Sequence, residues 1–214
     1  MADVSVRPAR PEDAQAVGQV QLRAWRAAYA DVLPAKLLAE LTAEALAERW
    51  RQAVTERPSP RHHVLVAVEA GQIVGFAAFG PAEDPDREAA HDGELYTLLV
   101  DPAAGRRGHG SRLLAATADL LREDGCQTAV TWVLSTDDVL RRFLTEAGWA
   151  PDGSRRDLDL LGDGTRLAAR IRRGELPAPD DDALADRYLI AEETFGAAGL
   201  LARQVRLHTD LRQD

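Results

Sequence analysis

Cysteine is nearly missing from the 214 residues. Cys126 stands alone, which excludes an internal disulfide and a cysteine-only metal site and suits a reducing compartment. Lysine is as scarce, with Lys36 the only one among 26 basic residues. No apolar run approaches the roughly 18 residues a membrane helix needs. Residues 1–20 carry Asp3, Arg7, Arg10, Glu12 and Asp13, unlike the apolar centre of a signal peptide. Positive charge is in deficit, with 35 acidic against 26 basic side chains and a formal net charge of −9. The broad basic field that nonspecific nucleic-acid binding requires is therefore lacking. These deficits predict a cytoplasmic protein that crosses no membrane and binds no nucleic acid. Hydrophobic residues at 45% and charged residues at 29% are ordinary for a folded chain.

The hydrophobic period changes along the chain. Val4 and Val6 alternate with polar neighbours, as in a strand. Pro11, Glu12 and Asp13 open a helix in which Ala14, Val17, Gln21, Ala24 and Ala28 share a face. A second helix is expected over about 35–54, before the breaker Pro58-Ser59-Pro60. Residues 63–68 and 72–79 flank Ala70-Gly71 as a hairpin, and the polar stretch 80–93 reads as a solvated connection. A third strand, 94–100, precedes a Gly-rich turn and a helix over about 111–122. A strand at 127–134, a helix at 137–147 and a hairpin at 157–171 around Gly162-Asp163-Gly164 follow. Composition shifts at Pro177. The expected organisation is a domain over 1–174, a linker over 175–183 and a helical extension over 184–214. In that extension Leu184, Tyr188, Ala191 and Phe195 form one stripe, and Leu200, Val205, His208 and Leu211 a second helix. An uncovered stripe there would suit a homodimer contact.

The segment from Leu99 to Leu114 (LVDPAAGRRGHGSRLL) carries the most chemistry. Successive amides at a helix start form a cup for phosphate oxygens, assisted by the helix dipole. Gly108 and Gly110 allow close approach of a ligand, and Arg106 and Arg107 can add charged bonds. A Gly-rich connection without a ligand is the plainer alternative. No Gly-Lys-Ser/Thr follows, so the loop is not Walker A.

The segment resembles motif A of the GNAT superfamily of acetyl-CoA-dependent N-acetyltransferases, in which V-x-P is followed by Q/R-x-x-G-x-G/A and a helix. Gly105 replaces the first Gln or Arg, and Arg106-Arg107-Gly108-His109-Gly110 matches the rest. The later family pattern N-x-x-A-x-x-F-Y-x-x-x-G-F is read from Asp137 through Phe143 to Gly148-Trp149, with Leu144 in place of the tyrosine. The likeness covers about residues 3–173. It implies an α/β (α+β mixed) fold with a splayed, mostly antiparallel mixed sheet flanked by helices, to which the helical extension is added.

The resemblance further implies acetyl-CoA as cosubstrate. Pantetheine would lie where strands part near Leu98, Leu99 and Val100, the pyrophosphate on the amides from Arg106 to Ser111, and Asp137 and Phe143 beside pantetheine or adenine. His109 reads as a solvent-facing loop residue or as a phosphate contact. Glu94 holds the position of the general-base glutamate in several members, and an amine attacking a thioester needs such a proton acceptor because free alkylamines have pKa values near ~10.4. It also reads as an ordinary strand residue facing water. The oxyanion donor would be a main-chain N–H near Leu99 or Val100. Without the tyrosine, water, Ser135 or another hydroxyl would protonate the thiolate.

Tyr96 shares the parity of Glu94 and reads as an acceptor contact or a half-buried aromatic. Trp25 and Tyr29 read as acceptor contacts or as core. His62 and His63 point to opposite faces of a strand, so no metal site is expected. The function expected is acetyl transfer to a primary amine, on a small molecule or on a protein N-terminus or lysine. A silent acyl-CoA-binding module is the alternative.

Overall fold

The computed structural model describes residues 4–28, 41–159 and 201–212. In chain order these form β1 (Val4–Pro8), α1 (Ala14–Ala28), α2 (Ala43–Thr55), β2 (His63–Glu69), β3 (Gln72–Pro81) and β4 (Asp92–Val100), followed by α3 (His109–Glu123), β5 (Thr128–Leu134), α4 (Asp138–Glu146), β6 (Ala150–Asp159) and β7 (Leu201–Asp210). The strands make one sheet in the order β1-β2-β3-β4-β5-β7-β6. Every neighbouring pair is antiparallel except β4 and β5, which the crossover through α3 joins in parallel. The α/β mixed sheet expected from the sequence is the observed one. No helix among the described residues is long and apolar enough to cross a membrane.

Local chemistry sets the boundaries. Arg7 grips Asp13 through two bonds of 2.6 and 2.9 Å, and Asp13 also accepts from the Arg10 amide at 2.7 Å, closing the turn that enters α1. Thr42 Oγ1 accepts from Ala45 N at 3.2 Å and caps α2. Ala70 and Gly71, with φ of 50 and 77°, form the two-residue turn between β2 and β3, whose left-handed backbone matches the strand twist.

Strand alternation divides the core between two faces. Leu65, Ala77, Leu95, Leu98, Val133 and Leu207 pack with Leu113, Leu114 and Leu121 of α3 and Leu144 of α4. Val66 and Phe76 face the other way, onto Val17 and Val20 of α1, with Trp50 of α2 edge-on to Phe76 at 4.8 Å. The two helices on that face touch at Gly18, where an added Cβ would stand 2.7 Å from both Ala43 O and Ala47 N. Backbone cannot yield as a flexible side chain can, so Gly18→Ala is expected to lower stability by about 1–3 kcal/mol. Urea denaturation measures this, and an unchanged midpoint would contradict such close packing.

The expected second helix of the C-terminal extension is not observed. Its residues Val205 and His208 lie in β7, with Leu211 just beyond, and β7 bonds to β5 on one side and β6 on the other. Val205 and Leu207 turn toward α3 and α4 while Arg206 turns away, a period of two that i, i+3 counting had read as helical. The end of the chain therefore completes the sheet. The stripe from Leu184 to Phe195, the 175–183 linker, the Gly162–Gly164 turn, Tyr29 and the start of the second helix before residue 41 lie outside the described residues.

Candidate active site

β4 and β5 are paired only at Asp92–Thr128, Gly93–Ala129 and Glu94–Val130. Beyond that point β4 continues along β3 to Val100, while β5 is held by β7 through Leu134. The sheet thus opens into a V at Glu94, earlier than the Leu98–Val100 separation expected from the sequence; β4 bulges at Tyr96 just past that point, and a bulge bends the strand that carries it. Thr131 Oγ1 donates to Leu95 O at 2.8 Å just above the fork. Asp101 N donates to Val74 O at 2.8 Å, and antiparallel alternation then turns the N–H and C=O of Leu98 and Val100 away from β3, into the V. By the same alternation Leu99 directs its amide to β3. Of the two oxyanion donors suggested by sequence, Val100 therefore has the better geometry.

The Gly-rich loop stands at the open end of β4. Gly105 N donates to Pro102 O and Arg112 N to Gly108 O. The amides from 106 to 111 have no protein acceptor among the described residues, leaving a run of donors at the start of α3. Gly108 takes φ +80°, and Arg106 also lies in the left-handed region at 65°. Both arginines of the loop are exposed, and Arg107 bonds Glu69 at 2.8 Å and Ala103 O at 3.3 Å. Arg112, missed in the sequence, lies across Gly108, its Nη1 3.1 Å from where a Cβ would stand and bonded to Arg107 O at 3.0 Å. His109 is not solvent-facing. Its ring is buried, 3.6 Å from Glu69 and without a hydrogen bond on either nitrogen, because the first turn of α3 directs it beneath the loop.

Glu94 lies on the α1/α2 side of the sheet, since neighbouring Leu95 enters the α3 core. It is 7% exposed, and one carboxylate oxygen accepts from Glu83 N at 3.2 Å. Burial pushes its pKa up, with the Glu83 bond opposing this and Asp84 adding to it. A β-bulge follows: Ala78 pairs with Thr97 and Phe79 with Leu95, leaving Tyr96 as the extra residue. Both Tyr96 and Thr97 line a cleft of about 410 Å³ with Trp50, His62, Val64 and Ala78. Tyr96 donates to Pro81 O at 2.7 Å, and burial raises its pKa, aided by Glu83 and Glu94.

The 80–93 stretch is not simply solvated. Its Asp84 and Asp86 bind Arg206 of β7, and Asp84 also accepts from Trp132 Nε1 at 2.7 Å. Nothing local in the sequence announces this, since Arg206 and Asp86 are 120 positions apart. The loop is thereby bonded to β5 through Trp132 and to β7 through Arg206.

Asp137 caps α4 by accepting Leu140 N at 2.9 Å. Phe143 reaches the loop, its ring 3.4 Å from where a Cβ on Gly110 would stand. Trp25 is half-buried on α1. Ser135 follows β5, its amide bonded to Arg203 O at 2.8 Å. His62 bonds Ser59 Oγ and His63 bonds Asp124, each at 2.8 Å. Cys126 is buried with Arg61 on its sulfur at 3.2 Å, and burial pushes its thiol pKa up. A larger hollow, about 650 Å³ between α4 and β6–β7, includes none of the site residues expected from sequence.

The Acetyltransferase (GNAT) family model matches residues 21–149, from α1 through the V and the loop to the end of α4. The chain belongs to that family. Consistent with this, it is 30% identical over 131 residues to the uncharacterized N-acetyltransferase YuaI of Bacillus subtilis, covering 61% of this chain and 72% of that protein. The structure of yncA, a putative acetyltransferase from Salmonella typhimurium with its cofactor acetyl-CoA, superposes with a TM-score of 0.60 at 16% identity, over 99% of this chain and 96% of that one. A stretch of 36 residues, 17% of this chain, is 61% identical to the heme chaperone HemW of Mycobacterium tuberculosis but spans only 9% of it. Within the GNAT pattern, the tyrosine position is occupied by Leu144, which is fully buried against the α3 core.

Proposed function

We propose that this GNAT protein transfers the acetyl group of acetyl-CoA to a primary amine by direct attack. The observation that carries the reading is the V opening at Glu94, with a carboxylate on one side of its fork and, at its far end, six amides that have no protein acceptor among the described residues. Acetyl-CoA supplies the thioester. The amides from Arg106 to Ser111 would hold its pyrophosphate at the positive end of α3, and the main-chain groups of Leu98 and Val100 would bond the pantetheine arm. Val100 N–H would donate to the oxygen that becomes negative as the amine nitrogen attacks the carbonyl carbon. Glu94 would take the proton from that nitrogen, directly or through one water. As the C–S bond breaks, the thiolate would take a proton from water or Ser135.

The acceptor would enter on the α1/α2 side, along Tyr96 and Trp25. A small-molecule amine, a protein N-terminus and a lysine all suit this chemistry. Calorimetry with coenzyme A and thiol release from acetyl-CoA with an amine panel test the proposal. Tight uptake with no acceptor-dependent release would favour an acyl-CoA-binding module instead, the reading supported by Leu144.

Leu144→Tyr tests whether this position belongs to the core or to the cleft. The position faces core, so the added hydroxyl would meet no water and the larger ring no space. The expected outcome is a loss of about 1–3 kcal/mol in thermal or urea unfolding with no rise in turnover. An active, more stable variant would place this position in the cleft.

A further inference from the structure

Arg206 engages all five of its N–H groups. Its Nη1 donates to Asp86 at 2.6 Å and Asp84 at 3.1 Å, its Nη2 to Asp86 and to Ser154 Oγ at 2.7 Å each, and its Nε to Asp152 at 2.6 Å. The residue is 3% exposed. Asp152 and Ser154 belong to the bulge of β6 between Pro151 and Arg155, whereas Asp84 and Asp86 belong to the loop between β3 and β4. Arg206 thus joins that loop to the far side of the sheet. Glu83, next to Asp84, gives its amide to the Glu94 carboxylate.

We propose that Arg206 is a positioning residue for Glu94: by clamping Asp84 and Asp86 it holds the loop down, keeping the Glu83 amide and the loop's cover on the carboxylate. The proposal rests on Glu94 being the proton acceptor described above. Glu94 faces Glu83 and Asp84 from the loop, Tyr96 from its own strand and Arg156 from β6. Arg206 faces Asp84, Asp86 and Asp152, the last also bonded to Arg87 at 2.7 Å. Binding Arg206 holds Asp86 down at about 2, so both ends of the clamp stay charged at neutral pH. Burial is the main cause that lifts Glu94. Releasing the loop would admit water and bring Glu94 back toward an ordinary carboxylate.

The test compares the parent protein with Asp86→Asn and Arg206→Lys. Asp86 is 60% exposed and bonds Arg206, so its variant keeps the fold even if the buried substitution does not. Carbon-13 NMR titration of the Glu94 carboxyl, assigned with Glu94→Gln, and hydrogen exchange at the Glu83 amide are the readouts. The expected result is a lower Glu94 midpoint and about tenfold faster Glu83 exchange in Asp86→Asn, with coenzyme A affinity unchanged by calorimetry. A clamp with only a structural role would lower the melting temperature and leave the Glu94 titration in place. An unmoved titration with unmoved exchange in folded Asp86→Asn overturns the clamp, whatever the turnover. Full turnover in Glu94→Gln overturns the base role, whatever the titration.

Discussion

Glu94→Gln is expected to cut amine-dependent release of coenzyme A by about 10²–10⁴-fold, the usual worth of a positioned general base, while acetyl-CoA binding stays within about twofold. Glutamine keeps the size and the bond from Glu83 N but cannot take a proton. In the parent, turnover requires the ionised carboxylate, so its acid limb should lie above the ordinary glutamate value of 4.5, as burial dictates. Activity falls as pH drops through that raised value. Stability has the opposite dependence. The folded state holds the proton to higher pH than the unfolded chain, so the favourable contribution is complete below the unfolded value and is lost as pH rises through the folded one. Glu94→Gln should therefore be less active yet more stable than the parent at neutral pH. Thermal melts at pH 4 and pH 7 beside thiol-release profiles measure both, and a fully active glutamine variant would remove Glu94 from the reaction.

The second large effect belongs to Gly108→Val. At φ +80° a β-branched side chain is strained by about 1–3 kcal/mol, and its Cβ would press on the Arg112 guanidinium. The loop can relieve this only by turning its amides, and the donors from 106 to 111 then no longer converge. Coenzyme A affinity is expected to fall by at least about tenfold, since each charge-assisted bond is worth about 1.5–3 kcal/mol. Turnover at saturating acetyl-CoA should fall much less, because Glu94 lies at the other end of the V. Calorimetry and the split between KM and kcat measure this. Unchanged affinity would mean that the amide run does not hold the pyrophosphate.

Several parts of the site were legible because they depend on short-range constraints. Gly108 and Gly110 announce a turn and a close approach wherever they occur, and Ala70-Gly71 between two valine-rich runs announces a hairpin. Glu94 was legible as a carboxylate on the strand entering the loop. The burial of His109 was not, since one helical turn decides whether the ring points beneath the loop or out of it. The capture of Arg107 by Glu69 also depends on a contact made after the loop docks on β2, whereas Arg112 folds back locally onto Arg107 O and Gly108.

The sequence by itself determined the alternation of strands and helices, the left-handed turns and the identity of the chemical groups. Tertiary structure decided which groups meet. Residues 201–210 became a strand because β5 and β6 offered backbone partners on both sides, outweighing a local pattern that also suited a helix. That insertion holds the outer edge of β5 through Leu134, while β4 leaves β5 beyond Glu94. It also brings Arg206 to an acidic loop read as solvated. The Arg206–Asp86 pair spans 120 positions and the β5–β7 pairs 70 to 82, and their energy exists only once the sheet has closed the intervening chain.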